Sequence, residues 1–394
     1  METRLLTADD LPQTSALGAE AFGDRPAGVP APDPATYPLP GRRSWGTFDD
    51  DGVLLAKVMG REYHSWFHGV EVATNGIAGV AVRAEARGRG LLDDLFRVVL
   101  DDGLRERGEV VSTLFPTAPG IYRRFGYELI TSYDAVEVAT TALTTVRPGE
   151  GVTLRRAAAE DFDAVRRVYD AWAGAHNGPL TRRGPSFVST AQEFVDAFTG
   201  VTLACDADGT VLGYCSWTRG EGYDEKATVE VADLLASTPD ALRALLRVLG
   251  SFATVTGHVR FLTSGLDAAR LLLPSHAWPV TGGHAYMLRV HDVVGACTGL
   301  ALPDGEPVRF SVAGDLLERM DGTYELTGGA STCRRTDPSS EAPVFAPRGL
   351  ALAYAGAASC ATIRTAGLLT GPATYDARID ALLGSREQHV RDYF

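Results

Sequence analysis

The chain has 394 residues, 45% of them apolar and 22% charged, a balance that supports several buried cores and excludes a disordered chain. Its 50 acidic and 37 basic residues leave a net charge of −13, which repels a phosphate backbone and sets nucleic acid aside as a partner. The same acidity would concentrate cationic ligands, and it serves plain solubility equally well.

Taken in order, Thr3–Leu6 reads as a strand, and the cap cluster Thr7-Ala8-Asp9-Asp10 opens a helix over Leu11–Phe22. A Pro/Gly-rich loop follows, from Asp24 to Gly41. Two strands, Ser44–Phe48 and Val53–Tyr63, are joined by the turn Asp50-Asp51-Gly52. His64–Glu71 leads into the apolar segment Val72–Val82. Gly90–Arg107 carries Leu91, Leu92, Leu95, Phe96, Val99 and Leu100 on one helical face. Val110–Phe115 and Tyr133–Val138 read as buried strands, and the composition breaks at Arg147-Pro148-Gly149-Glu150-Gly151.

The pattern then restarts. Val152–Arg156 is a strand, Ala159-Glu160-Asp161-Phe162 opens a helix, and a hairpin pairs Val201–Cys205 with Val211–Trp217 across Asp208-Gly209. Thr228–Leu234, Pro239–Leu249 and Val259–Leu262 complete a strand–helix–strand run. The repeated order predicts a duplicated α/β unit. After His291 come strands Val308–Val312 and Gly322–Thr327, helices Gly349–Tyr354 and Thr374–Leu383, and the tail Arg386–Phe394.

Cys205, Cys215, Cys297, Cys333 and Cys360 form no CxxC pair, and the histidines show no ligand spacing, so neither disulfides nor a metal are expected. His64 and His68 read as a surface pair. Met1 is followed by Glu2, Asp9 and Asp10 rather than a basic-then-apolar leader, and no run reaches the roughly 18 apolar residues of a spanning helix. A soluble, cytoplasmic protein without a membrane partner is expected.

The chemistry is concentrated in Gly79-Val80-Ala81-Val82-Arg83-Ala84-Glu85-Ala86-Arg87-Gly88-Arg89-Gly90-Leu91-Leu92. A buried strand runs here through an Arg/Gly loop into an amphipathic helix. Gly88 and Gly90 let backbone approach a ligand, and the free N–H groups of the first helical turn carry the positive end of the dipole. A pyrophosphate fits there, with Arg87 and Arg89 adding charge-assisted bonds. A solvated turn that binds nothing has the same spacing. Thirty residues on stands Ile121-Tyr122-Arg123-Arg124-Phe125-Gly126-Tyr127.

Together these segments resemble the Gcn5-related N-acetyltransferase (GNAT) superfamily. The three-part layout and the final aromatic residue resemble its enhanced intracellular survival (Eis) branch of aminoglycoside acetyltransferases. The resemblance implies an α/β (α+β) chain of tandem acetyltransferase folds. Residues 1–148 would be catalytic, 149–291 a degenerate copy, and 292–394 a sterol-carrier-like domain. It implies acetyl-CoA as co-substrate, with the edge Val80, Ala81 and Val82 on the acetyl-pantetheine arm. Gly88 to Asp93 would hold the pyrophosphate, and Thr117 and Ala118 would line the cofactor. Tyr122 would protonate the departing thiolate, and the carboxylate of Phe394 would fold back as general base. A hexamer is implied as well. Asp24 could meet a substrate ammonium, though an exposed loop aspartate explains it too.

The chemistry suits these roles. An amine must be neutral to attack, so a base must take its proton. A terminal carboxylate near pKa roughly 3.5 needs burial to serve as that base, and a tyrosine near about 10 can protonate a thiolate of about 8.5. The second unit has Ala236-Ser237-Thr238-Pro239-Asp240 where the glycine loop should be, and so should not bind CoA. Bulky cationic amines such as aminoglycosides are the expected acceptors. The alternatives are protein or peptide lysines, or a non-catalytic acyl-CoA or lipid carrier. Two departures stand out: Asp93 places acidity one turn into the phosphate helix, and Tyr393 leaves Asp392 as the acidic residue beside the terminus.

Overall fold

The structure is a computed structural model that describes residues 1–26, 28–187 and 190–394; position 27 of the expected Asp24–Gly41 loop lies outside them. The first half contributes strands β1 (Glu2–Leu5), β2 (Arg42–Phe48), β3 (Leu54–Phe67), β4 (Val70–Val82), β5 (Val111–Leu114) and β6 (Glu128–Ala139). The second contributes β7 (Thr153–Arg156), β8 (Gly200–Cys205), β9 (Val211–Arg219), β10 (Thr228–Ala236), β11 (His258–Thr263) and β12 (Val280–Val290). All join one continuous sheet in the order β1-β2-β3-β4-β5-β12-β6-β11-β10-β9-β8-β7.

That order is a reciprocal exchange. β12 lies antiparallel between β5 and β6, and β6 lies antiparallel to β11. Each half thus lends its last strand to the other, so one sheet spans the boundary expected between residues 148 and 149, which themselves lie in the connection to β7. The expected duplication is present, and the interlocking was not foreseen.

Helix α1 (Leu11–Phe22) packs beside β3 and β4, and α2 (Leu91–Arg107) follows β4. Of the stripe predicted on α2, Leu91, Leu95, Phe96, Val99 and Leu100 are each at most 7% exposed, while Leu92 is half-buried. Phe96 stacks on Phe125 with ring centroids 4.4 Å apart. The strand expected to end at Tyr63 runs on to Phe67 and turns at His68-Gly69, where both φ angles are positive (49° and 79°), before β4 begins.

His68 is therefore no surface residue. It is fully buried, and its Nε2 donates to the Tyr354 carbonyl at 2.6 Å. Its backbone N–H donates to Asn177 Oδ1 at 2.7 Å. The five cysteines are buried and free.

The last hundred residues form a separate sheet from β13 (Val308–Val312), β14 (Gly322–Thr327), β15 (Thr332–Thr336), β16 (Val344–Phe345) and β17 (Leu369–Thr370). The helix Pro347–Ala355 lies against β12 and β6. A single apolar cluster passes from Phe67, Val111 and Tyr286 of the large sheet to Val308, Phe345 and Tyr354 of this unit. Shared burial on that scale couples the three parts. Among the described residues, no helix is long and apolar enough to cross a membrane.

Candidate active site

The site begins where the sheet opens. β4 and β5 run parallel but pair only at Thr74–Val111, Asn75–Ser112 and Gly76–Thr113. Beyond Gly76, β4 continues to Val82 while still bonded to β3, so Ile77–Val82 turns an unpaired backbone edge toward the widening gap. A bulge opposite Lys57–Met59 falls at Gly79-Val80, and Gly79 takes a φ of 58° that favours glycine. Unpaired strand backbone offers alternating donors and acceptors to an extended amide chain.

From this edge the chain passes into the Arg/Gly loop. Gly88 and Gly90 adopt φ values of 74° and 77°, and Gly90 caps α2. Nothing stands within 4 Å of a Cβ built on either glycine, so both face open space. The Leu91 and Leu92 N–H groups have no protein acceptor among the described residues. Arg87 and Arg89 are exposed and meet no carboxylate among those residues. Asp93 is ion-paired to Arg124, so its charge is neutralised by the tyrosine segment rather than aimed at the loop.

After β5, the exposed Thr117 and Ala118 lead into the short helix α3 (Pro119–Arg123). Tyr122 is 7% exposed, edge-on to Phe96 and Tyr127 at ring-centroid distances of 6.0 and 6.3 Å. Its hydroxyl has no protein partner among the described residues, and burial pushes its pKa up. The group therefore keeps its proton at neutral pH.

A cavity of about 470 Å³ lies between the halves, bounded by Arg61 and Tyr63 of β3, by Tyr169 and Asp233 of the second half, and by Asp392–Phe394. Residues 386–394 reach it by threading the junction. Asn177 donates its backbone N–H to Glu387 O and accepts from His389 N, both at 2.9 Å. Val390 N donates to Ser264 Oγ at 3.0 Å, and Arg391 reaches Leu262 O and Asp267. Arg182 then holds the end of the tail: its Nε donates to Asp392 Oδ1 at 2.9 Å while Nη1 and Nη2 grip Asp233 at 2.5 and 3.1 Å. The Phe394 ring lies 4.9 Å from Tyr63 and 5.3 Å from Phe115. A Cβ on Gly76 would stand 3.0 Å from it. The tail thus ends where β4 and β5 part.

Residues 2–130 and 178–290 each match an acetyltransferase (GNAT) domain family. A Streptomyces avermitilis protein named as an uncharacterized N-acetyltransferase is 30% identical over 313 residues, covering 76% of each chain. The chain belongs to the GNAT acetyltransferases. Among solved structures, a GCN5-related N-acetyltransferase from Kribbella flavida is 26% identical with a TM-score of 0.82, covering 100% of this chain and 98% of that one. Eis1 from Mycobacterium abscessus shares the fold over the full length of both chains, with a TM-score of 0.77 at 23% identity.

The GNAT fold binds acetyl-CoA, and the gap fits it: an unpaired strand edge, two open left-handed glycines, a free helix N-terminus and two unpaired arginines. Val80 to Val82, Arg87 to Asp93, Thr117 and Ala118 follow one another along β4, the loop and the β5–α3 connection. Phe394 reaches the mouth of the gap, whereas Tyr122 lies behind it in the α2 core and is not on the cavity wall. Asp24 is exposed and outside the cavity lining.

The second half gathers Arg182 and Asp233, which the sequence did not mark, with Asp392, which it did. Pairing of β10 with β11 ends at Val231–Phe261 while β10 runs on to Ala236, which repeats the opening of the first half. Here the tail and Arg182 fill the neighbourhood. Asp233 is 3% exposed; burial pushes its carboxyl up, but Arg182 holds it net below the usual range. Asp392 is pushed up, by burial first, with Asp233 adding to the rise against Arg182. Asp392 therefore supplies no free anionic charge beside the terminus.

Proposed function

We propose that the chain transfers the acetyl group of acetyl-CoA to a primary amine seated in the cavity between its halves. The observation that carries this reading is the tail's end at the parting of β4 and β5, where cofactor gap and cavity meet. Acetyl-CoA supplies an activated acetyl thioester. The β4 edge at Val80–Val82 aligns it, and the loop from Arg87 to Asp93 holds its pyrophosphate. The Phe394 carboxylate takes the proton that the attacking amine sheds as its nitrogen bonds the acetyl carbon. Tyr122 gives its proton to the sulfur as the carbon–sulfur bond breaks.

The cavity favours a monoamine with an apolar or aromatic body. Tyr63, Tyr133, Phe162 and Phe194 are among the aromatic residues of its wall. Its carboxylates are committed: Asp170 to Arg183, Asp233 and Asp392 to Arg182, and Glu193 to the Thr190 N–H. An aminoglycoside, the acceptor implied by the Eis resemblance and consistent with the net charge of −13, brings several ammonium groups and would find few free anions here. The same family reading extends to a hexamer in the cytoplasm, built of units 1–148, 149–291 and 292–394, the last sterol-carrier-like.

Mass spectrometry after incubation with acetyl-CoA and a mixed panel of aromatic amines, aminoglycosides, polyamines and lysine peptides tests the proposal. Acetylated aromatic amine as the main product supports it. Aminoglycoside products would overturn the acceptor claim, and no product from any amine would overturn the transferase reading.

A further inference from the structure

His176, at the end of the helix Phe162–Ala173, meets Glu387 and His389 of the tail, each bringing one ligand-type atom to within 4.8 Å of the others. The His176 Nδ1 donates to the Trp172 carbonyl at 2.7 Å, which leaves the Nε2 lone pair bare. His389 is 2% exposed, with Nδ1 3.1 Å from Ser264 Oγ. Its Nε2 is buried, has no hydrogen-bond partner among the described residues, and stands 3.8 Å from Glu387 Oε2. The two imidazoles are edge to face, 4.3 Å apart.

A buried imidazole nitrogen without a partner is costly unless something binds it. Arg391, which bears on this cluster, is itself paired with Asp267 at 3.0 Å. Two imidazoles and one carboxylate form a donor set suited to a borderline divalent ion such as zinc, with water completing a tetrahedron. The carbonyl behind His176 is the outer partner that fixes a ligating ring.

We propose that His176, Glu387 and His389 bind a zinc-class divalent cation that fastens the tail to the second half of the molecule. Zinc–nitrogen bonds of about 2.0–2.1 Å require the three atoms to close in. The 61% exposed Glu387 side chain and the half-buried His176 ring have room to do so. No spacing in the sequence marks the site, because 210 residues lie between His176 and Glu387.

The test uses the full chain stripped with a chelator, then titrated with Co²⁺ by visible absorption and with Zn²⁺ by calorimetry. One ion per chain is expected, with an intense tetrahedral cobalt band that zinc displaces. His176→Gln and Glu387→Gln should each weaken binding at least about tenfold, comparable to or beyond the loss of an outer-sphere partner. Circular dichroism confirms that each variant is folded. Substoichiometric uptake by the parent chain, or an affinity in either variant equal to the parent's, would overturn the proposal.

Discussion

Replacing Arg182 with methionine keeps an unbranched stem and removes the cation that joins Asp233 to Asp392. Arg182 sits at a φ of 53°, in a region that a non-glycine residue occupies only when its surroundings hold it there. Without the guanidinium, the side-chain donors left to the two buried carboxylates among the described residues are the Tyr214 hydroxyl at 2.9 Å and the Tyr169 hydroxyl at 3.3 Å. The cheaper escape is for one carboxyl to take a proton. Raising a carboxyl pKa from its ordinary 3.8 to 7 costs about 4 kcal/mol. That figure lies within the 3–5 kcal/mol typical of a broken buried pair. In the variant the folded-state carboxyl pKa lies above its unfolded value. Its stability is therefore full at low pH and is lost as pH rises through the folded pKa. Urea unfolding at pH 7.5 should show a deficit of about 4 kcal/mol that shrinks at pH 5.5. Turnover should fall about a hundredfold, the scale of a displaced general base. A deficit below about 1 kcal/mol, or one that does not change with pH, would refute the clamp.

Asn177→Ala should lower stability by about 2–4 kcal/mol in the same unfolding assay, because the side chain that accepts from His68 N and donates to Ala355 O is buried at the junction of three parts. The His68 pKa, lowered by burial from 6.5 to about 4, makes folding lose stability as pH drops from 6.5 toward 4, where the unfolded chain binds the extra proton. His68→Phe should flatten that slope; an unchanged slope would show that other groups set it. Gly88→Ala and Gly90→Ala each add a side chain at a left-handed position facing the phosphate site. They should raise the KM for acetyl-CoA at least about tenfold with kcat at saturation preserved, at a folding cost of about 1–2 kcal/mol each.

Local chemistry made much of this legible. The α2 stripe, the strand–loop–helix passage and the duplicated element order depend on residues close in sequence, and each is found where it was expected. β12 escaped notice because Val280-Thr281-Gly282-Gly283-His284 looks like a loop. Gly283 pairs with Asp134 of β6, where a Cβ would press on the Asp134 carboxylate end. That neighbour exists only once the halves interlock. His68 looked exposed because its burial comes from Tyr354, 286 residues away. The Arg182 clamp was invisible for the same reason, since its partners lie 51 and 210 residues distant. The sequence showed Asp93 as a liability and could not show Arg124 cancelling it.

The most direct test of the central claim compares the parent chain with Tyr122→Phe, measuring kcat by CoA release alongside acetyl-CoA affinity by calorimetry. The ring stays in its pocket against Phe96 and Tyr127, and only a hydroxyl without a protein partner is lost. The account predicts a fall in kcat of about a hundredfold or more with affinity for acetyl-CoA unchanged. Full turnover in the variant would contradict it.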